Sequence, residues 1–196
     1  NYDVYDYNKF VSSLKKFKKK KKNILLFTGG PTLNKFKKND LSNEIWDNCY
    51  VIALKNSINF LNEIDVKADF FGSNFIGAVT RIDKSLLQKH KTINIGLNYG
   101  KMPELRKHMH HITNISFSKN HMQLVNDNKK GIDFENINNK LYTGSGHIVM
   151  ELGIPLSIFL EPKNIITIGW DVTNSTNSGE KIEHWDKKEG FINWDD

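Results

Sequence analysis

Short apolar runs alternate along the chain with segments whose apolar residues recur at helical spacing. The apolar runs cover residues 23–28, 50–54, 68–72, 92–97, 112–117 and 164–169. Continuous runs of this length, without alternation of apolar and polar positions, are typical of strands buried on both faces of a parallel sheet. The segments with helical character cover residues 57–64, 85–90, 104–110 and 146–160. The alternation predicts an α/β fold: a single Rossmann-like open, mostly parallel sheet with helices on both faces.

The composition divides the chain into three parts. Residues 1–22 are predicted to form a basic N-terminal helix, in which an apolar stripe that includes Phe10 and Leu14 has helical spacing. Residues 23–170 form the predicted Rossmann-like nucleotide-binding domain. Residues 171–196 are polar and rich in Trp, Gly and charged residues, which predicts a C-terminal lid or tail.

The overall composition is that of a soluble globular domain, with 196 residues of which 38% are hydrophobic and 26% charged. The single cysteine, Cys49, excludes an intrachain disulfide and a zinc site made of four cysteines, and its position beside an apolar run predicts an inert, packed thiol. No apolar run approaches the roughly 20 residues that a membrane-spanning helix needs, and no signal-peptide pattern stands at the start. We therefore expect a cytoplasmic protein.

The formal net charge of +6 arises mainly from one segment, Lys15 to Lys22, in which every residue except Phe17 is a lysine. One interpretation is the solvated face of a surface helix. The other is an electrostatic contact with an anionic partner, either lipid headgroups at the inner membrane face or nucleic acid. No aromatic residues alternate with the lysines as a base-stacking surface would need, so no nucleic acid is expected as a partner.

The strongest local signal is the turn Gly29-Gly30-Pro31-Thr32, which directly follows the first apolar run. Glycines let the backbone turn sharply and let a ligand approach it closely, and Pro31 suits the first turn of a helix. Free amides at a helix start would bind a phosphate. The turn lacks both the dinucleotide fingerprint and the Gly-Lys-Ser/Thr of a Walker loop, so a plain strand-to-helix turn is an open alternative.

Polar or small residues also follow other predicted strands or precede the late helix, where Ser145 is a candidate N-cap. They are Asn56, Ser73, Asn74, Thr143, Gly144, Ser145, Gly146 and Asp171. Because open α/β sheets bind ligands at the carboxyl ends of their strands, these residues and the glycine turn are predicted to face one crevice that accepts an anionic nucleotide.

Histidines are the candidate general bases. His184 lies in the polar tail, where a histidine on a lid could take a proton from an acceptor hydroxyl, although a solvent-exposed loop residue is an equally simple interpretation. His108 and His111 could share a helix face, but no carboxylate or third histidine stands at a useful offset. Histidines at a helix end explain that cluster without a metal.

An ordered set of short motifs resembles the bacterial sialyltransferases that use CMP-sialic acid. The set consists of the turn Gly30-Pro31-Thr32-Leu33, Asn56, Ser145-Gly146 and Gly169-Trp170-Asp171. The same ordered set resembles a related group, the archaeal 6-hydroxymethylpterin diphosphokinase-like proteins. Ala68-Asp69-Phe70-Phe71 is more similar to the Pro-Asp-aromatic strand of that second group. The resemblance extends over about residues 23–171.

The sialyltransferase resemblance implies a single Rossmann-like nucleotide-binding fold and metal-independent transfer. It implies phosphate and cytidine contacts at Gly30, Thr32, Asn56, Ser145, Gly146 and Asp171. It also implies that His184, as the histidine that follows Asp171, is the base. The chain departs from that family in having Gly29 where Asn is usual, and in having no Tyr after Tyr142 for the tyrosine pair that holds the departing phosphate.

Three functions follow as hypotheses. The first is a glycosyltransferase that moves a sugar from a nucleotide donor, CMP-linked in this interpretation, to a hydroxyl of a glycan or lipid-linked acceptor without a cofactor. The second is pyrophosphate transfer from ATP with Mg²⁺, for which Asp69, Asp83 and Asp171 are the candidate metal-side carboxylates. The third is a non-catalytic binding module attached to lipid or nucleic acid through Lys15 to Lys22.

Overall fold

A computed structural model of the chain describes residues 7–74, 83, 85–98, 111–117, 134, 142–144 and 148–170. The helices are α1 (Tyr7–Lys15), α2 (Asn43–Asp47), α3 (Ser57–Glu63), α4 (Ser85–His90) and α5 (Ile154–Phe159), with 3₁₀ helices at Pro31–Lys35 and Lys38–Asp40 and a π-helical turn at Val149–Gly153. The strands are β1 (Asn23–Phe27), β2 (Cys49–Leu54), β3 (Phe70–Asn74), β4 (Ile93–Asn98), β5 (His111–Phe117), β6 (Tyr142–Gly144) and β7 (Asn164–Ile168).

The described strands form one open parallel sheet, as the sequence predicts. Five strands in the order β4-β3-β2-β1-β7 make its main part, and β5 and β6 continue it beyond β4. Every adjacent pair is parallel; for example, Phe27 of β1 is opposite Ala53 of β2 and opposite Ile168 of β7. All strands therefore end at the same edge, which we call the carboxyl edge, and begin at the opposite one, the amino edge.

The side chains of the central strands alternate between two apolar cores, one on each face of the sheet. In β1, Ile24 and Leu26 join the core under α1, the π-helical turn and α5, whereas Leu25 and Phe27 join the core under α3 and α4. Burial on both faces is what the continuous apolar run at 23–28 predicts, and all five residues of β1 are buried. The central strands are therefore held between two apolar cores, one on each face of the sheet.

Strand β7 departs from the prediction that its apolar run is buried on both faces. It pairs with β1 alone among the described strands, and Ile165 is 36% exposed. Among the described strands, β7 is therefore an edge strand despite its apolar sequence at 164–169. Its side chains are more exposed because a strand with one neighbour is covered less completely.

Helix α1 is shorter than the sequence predicts, because it ends at Lys15 and not at residue 22. Tight turns follow, and Lys19 adopts a left-handed conformation at φ 59° while its amide donates to the carbonyl of Leu160. The predicted apolar stripe is confirmed, since Phe10 and Leu14 are buried in the core. The lysines beyond Lys15 therefore lie in a turn segment held against the end of α5.

The late helical segment is interrupted before Pro155. The amide of Ile154 donates to the carbonyl of Val149, five residues back, in a π-helical turn. Proline has no amide to donate within an α-helix, so a change of hydrogen-bond register directly before it has a physical reason. The predicted helix at 104–110 lies outside the described residues.

Candidate functional site

The ends of β1 and β7 are joined at the carboxyl edge. The amide of Thr28 donates to Ile168 O at 2.9 Å, the amide of Gly30 donates to Gly169 O at 2.8 Å, and the Thr28 hydroxyl also donates to Gly169 O. Gly169 has φ +75°, and a Cβ built on it would lie 2.7 Å from Leu33 Cγ and 2.9 Å from Thr28 O. Only glycine meets both demands, so the two predicted ligand-binding turns are one connected structure.

The amide of Gly30 is not free for a phosphate, because it is engaged by Gly169; this corrects the prediction of free amides at that position. Pro31 begins the following helix as predicted, but that helix is a 3₁₀ helix of five residues, and the Leu33 amide donates to Gly30 O at 3.1 Å. Gly29 to Pro31 are half-buried and Thr32 is exposed. The turn therefore does not offer the helix-end cradle that the sequence suggests.

The end of β2 is tied to the end of β1 through Ser57, a residue that sequence reasoning missed. Its hydroxyl lies 3.0 Å from Phe27 O and 2.9 Å from Leu54 O, and it accepts from the Leu54 amide at 2.9 Å. Asn56 precedes α3 as its N-cap residue and is buried, although its side chain makes no capping hydrogen bond. Asn56 thus lies at the carboxyl edge as predicted.

Lys55 is the second residue that sequence reasoning missed, and it lies at the centre of the carboxyl edge. Its backbone is in the left-handed region at φ 54°, and its amide donates to Gly72 O of β3 at 2.8 Å. Leu54 is opposite Gly72 and Phe27 is opposite Ala53, so the register, continued by one or two residues, places Lys55 between Gly29 and Ser73. A lysine directly after an apolar run was the available signal.

The ammonium group of Lys55 is in an unusual environment for a lysine. Burial lowers its pKa, because the charged form loses solvation. Within the described part of the chain, the ammonium makes neither an ion pair nor a hydrogen bond. A partly buried cation without a partner among the described residues loses solvation in the free protein, and an anion that binds beside it would recover part of that loss.

The structure brings together some of the predicted site residues and separates others. Ser73 is fully buried at the end of β3, and Asn74 ends that strand, so both lie two strands from the Gly29 turn. Thr143 and Gly144, predicted as part of a turn, belong instead to β6, five strands away from β1. At about 4.8 Å per strand this is roughly 24 Å, so they do not share a crevice with the Gly29 turn. Ser145, Gly146, Asp171 and His184 lie outside the described residues.

The two predicted carboxylates that the structure describes, Asp69 and Asp83, do not share a magnesium site. Asp69 precedes β3 at the amino edge, where its carboxylate accepts from the Val51 amide at 2.9 Å and burial raises its pKa. Asp69 is therefore not at the carboxyl edge, where the predicted metal site required it, and Asp171 lies outside the described residues. Asp83 is exposed and accepts from the hydroxyl and amide of Ser85 at the start of α4; these hydrogen bonds lower its pKa. The described residues contain no group of three metal-ligating side chains.

The remaining candidates have structural roles. His111 begins strand β5, so the prediction that it shares a helix face with His108 is wrong. The Cys49 thiol is buried and donates to Trp46 O at 3.2 Å; burial, followed by the charge of Asp69, raises its pKa to about 11. The prediction of an inert thiol is thus consistent with its environment, because the thiolate is the reactive form.

An open parallel α/β sheet with polar residues at its carboxyl edge defines a class of ligand-binding domains in which the ligand lies outside the strand ends. Within that class, the family model described as 6-hydroxymethylpterin diphosphokinase MptE-like matches residues 2–177. The chain therefore belongs to the MptE-like family, a kinase and transferase family, and the predicted resemblance to the pterin group is confirmed. Neither the curated proteins nor the solved structures contain a significant match to this sequence.

Proposed function

We propose that this protein transfers a diphosphate group from a nucleoside triphosphate to the hydroxymethyl group of a pterin-like heterocycle. The observation that carries the proposal is the ammonium of Lys55 at the carboxyl edge, in a chain of the MptE-like family; this ammonium is partly buried and makes no ion pair or hydrogen bond within the described residues. A polyphosphate is the ligand class that such a cation attracts most strongly, because both its charge and its several acceptor oxygens match an ammonium group.

Lys55 would act by binding and orienting the transferred phosphates. Its backbone is held by Gly72, and the strand ends on either side are fixed by Ser57 and Gly169, so the ammonium does not depend on a long loop for its position. Charge stabilisation of this kind, preorganised before the substrate arrives, is a major source of rate enhancement in phosphoryl transfer.

The chemistry requires a hydroxyl oxygen of the acceptor to attack the β-phosphorus of the triphosphate. A new oxygen–phosphorus bond forms, the bond from the β-phosphorus to the oxygen bridging it to the α-phosphate breaks, and the nucleoside monophosphate leaves with the bonding electrons. The hydroxyl proton passes to solvent or to a base. Negative charge accumulates on the phosphate oxygens, which is where a fixed ammonium contributes most.

Trp170 provides independent support for a ligand with an aromatic ring. It follows Gly169 directly at the end of β7 and is exposed, which is uncommon for so large a ring. An indole at this position offers a stacking surface for a purine or a pterin beside the Gly29 turn. In this proposal Lys55 binds the charged part of the substrates and Trp170 binds the aromatic part, and both residues lie at the carboxyl edge.

The glycosyltransferase hypothesis is not the function we propose. The family match supports the pyrophosphate-transfer alternative, and no feature of the described residues favours a CMP-linked sugar over another nucleotide. The proposal includes no step at a magnesium ion held by Asp69 and Asp83, because both carboxylates have structural roles and do not fit a shared metal site.

The proposal is tested by ³¹P NMR of the purified protein with ATP, a divalent cation in the buffer and 6-hydroxymethyl-dihydropterin. We expect AMP and a new diphosphate ester to appear together, and the Lys55→Met variant to form neither at a comparable rate. Lys37→Met, which removes an exposed lysine elsewhere, is the matched control. Turnover of CMP-sialic acid instead of ATP, or AMP formation that does not require the pterin, would contradict the proposal.

A further inference from the structure

The amino edge of the sheet carries a row of lysines that the proposed reaction does not use. Lys91 precedes β4, Lys67 precedes β3, Lys22 directly precedes β1, and Lys163 directly precedes β7. Together with Lys20, all of these side chains are exposed, and none makes an ion pair within the part of the chain that the structure describes. We call these five residues the amino-edge lysines.

The row combines residues that are far apart in sequence. The order β4-β3-β2-β1-β7 gives four strand spacings between Lys91 and Lys163, or roughly 19 Å at about 4.8 Å each. The amide of Lys163 donates to Lys22 O at 2.8 Å, which fixes two members of the row side by side. The parallel topology therefore converts four separate strand starts into one basic line.

The lysine run at 15–22 contributes less of this surface than its sequence suggests. Lys18 and Lys19 form ion pairs with Glu161 at 2.9 and 3.0 Å, and the Lys18 ammonium also lies 4.6 Å from the Phe159 ring centroid. The acidic side chains close to the strand starts include Asp47, Asp65, Asp69 and Glu161; Glu161 is engaged by these two lysines and Asp69 by the Val51 amide, whereas Asp47 and Asp65 are exposed. Because the five amino-edge lysines outnumber these two exposed carboxylates, exposed positive charge dominates the amino edge.

We infer that the amino edge docks on an anionic lipid bilayer. Each lysine near such a surface contributes about 1 kcal/mol, or about fivefold in affinity, and a flat row of several gives useful binding without an inserted helix. None of the described residues is an arginine, so this surface favours diffuse attraction to headgroups over the paired hydrogen bonds typical of nucleic-acid recognition.

The aromatic residues close to this edge also favour lipid over nucleic acid. Phe17 packs edge-on against Tyr50 and Phe70, with ring centroids 5.5 and 5.3 Å away, and Tyr50 and Phe70 are buried. These rings are committed to the core, and base stacking needs exposed ones.

Docking through the amino edge would point the carboxyl edge away from the bilayer. The strands are five or six residues long in the centre of the sheet, so Lys55 would lie roughly 16 to 20 Å above the docking edge at about 3.3 Å per residue. An acceptor buried among the headgroups would not reach it. The orientation therefore suits substrates that arrive from the aqueous phase, in agreement with a small heterocycle.

The test is sedimentation of the protein with phosphatidylcholine vesicles, with and without phosphatidylserine, over a range of salt concentrations. We expect binding only to the vesicles with phosphatidylserine, a steep decrease in affinity with salt, and an affinity about 30-fold lower for the Lys67→Gln/Lys91→Gln double variant. The Lys35→Gln/Lys37→Gln variant removes the same charge from two exposed lysines, at and just beyond the end of the 3₁₀ helix that follows β1, and should bind as the unmodified protein does.

A second pair, Lys22→Gln/Lys163→Gln, removes the other end of the row and is expected to show the same loss. Circular dichroism melting of each variant establishes that a loss of binding is not a loss of folding. Equal losses in the Lys35/Lys37 control, or equal binding to neutral vesicles, would overturn the inference. So would tighter binding to a single-stranded RNA that the vesicles fail to displace.

Discussion

Each edge of the sheet contains a basic side chain whose pKa is lowered by burial, but within the described residues only one of the two has a hydrogen-bonding partner. At the amino edge, His90 ends α4, and its Nδ1 accepts from the Ala68 amide at 3.1 Å. At the carboxyl edge, the Lys55 ammonium has no hydrogen bond or ion pair within the described residues. A neutral imidazole with a backbone donor is a structural element, whereas the partly buried ammonium of Lys55, with no partner among the described residues, is the group that we propose binds an anion.

Replacement of Lys55 should have the largest effect on anion binding at the carboxyl edge and should leave the amino edge unchanged. Lys55→Met should lower the affinity for inorganic pyrophosphate about 10- to 100-fold, because a charge-assisted hydrogen bond in a partly desolvated site contributes about 1.5–3 kcal/mol. Isothermal titration calorimetry measures the change, with Lys37→Met as control. Affinity should also decrease as the pH rises through the lowered pKa of Lys55, since the neutral amine no longer attracts an anion. If Lys55→Met bound pyrophosphate as tightly as the unmodified protein does, Lys55 would not be an anion-binding group and this difference between the two edges would not exist.

Gly169→Ala should disrupt the carboxyl edge while leaving the amino edge intact. The left-handed backbone disfavours alanine, and the new Cβ would lie 2.9 Å from the carbonyl oxygen of Thr28, which cannot move aside easily. We expect a loss of about 2 kcal/mol or more in the free energy of unfolding, measured by urea denaturation. Thr167→Ala, at an exposed position of β7, is the control. Equal stabilities would mean that the Gly30–Gly169 connection does not hold the site.

His90 should make the stability of the amino edge depend on pH. Its pKa in the folded protein is below the ordinary value of 6.5, chiefly through burial, so the unfolded chain binds more protons as the pH decreases from about 6.5. Stability from this group is therefore complete above that pH and is lost as the pH decreases through the folded pKa.

The variant His90→Leu isolates this contribution. It leaves the Ala68 amide unpaired, which should cost about 1.5 kcal/mol at neutral pH, and it should remove the part of the pH dependence that lies below the ordinary histidine pKa of 6.5. Urea denaturation between mildly acidic and neutral pH measures both. An unchanged pH profile in His90→Leu would show that His90 is not the group that titrates, while pyrophosphate affinity should be unaffected either way.

Trp170→Ala should give the smallest of these effects. It distinguishes the binding of an aromatic ring at the carboxyl edge from the binding of phosphate there. Stacking of an aromatic base contributes about 1–3 kcal/mol, so we expect about a tenfold weaker affinity for ATP and no change for pyrophosphate, which has no ring. Trp170→Phe should recover most of the loss. A variant that weakens both ligands equally would assign Trp170 to the shape of the turn and not to ring binding.

Local sequence patterns predicted the strands well because burial on both faces imposes continuous apolar runs, as in β1 and β2. They could not give the strand order, which depends on long-range packing. That is why Thr143 and Gly144 were predicted at the same crevice as Gly29 but lie five strands away in β6. The exposed edge position of β7 also escaped prediction, because its sequence is as apolar as that of a central strand.

The candidate site was predictable in location more than in composition. Glycine and proline after β1 indicated the correct edge, since these residues report local backbone demands directly. The pairing of the Gly30 amide with Gly169, and the burial of Lys55 beside Gly72, arise from contacts between strands that no local pattern encodes. Asp69 was misplaced because the carboxylate precedes β3, and the resemblance alone did not distinguish a strand's beginning from its end.

A crystal structure of the protein with a non-hydrolysable ATP analogue would test the central claim most directly. The account predicts phosphate oxygens about 2.7–2.9 Å from Lys55 Nζ, beside the Gly29 turn at the carboxyl edge. Phosphates that lie instead against the amino-edge lysines, with the Lys55 ammonium still buried and without a contact, would contradict it.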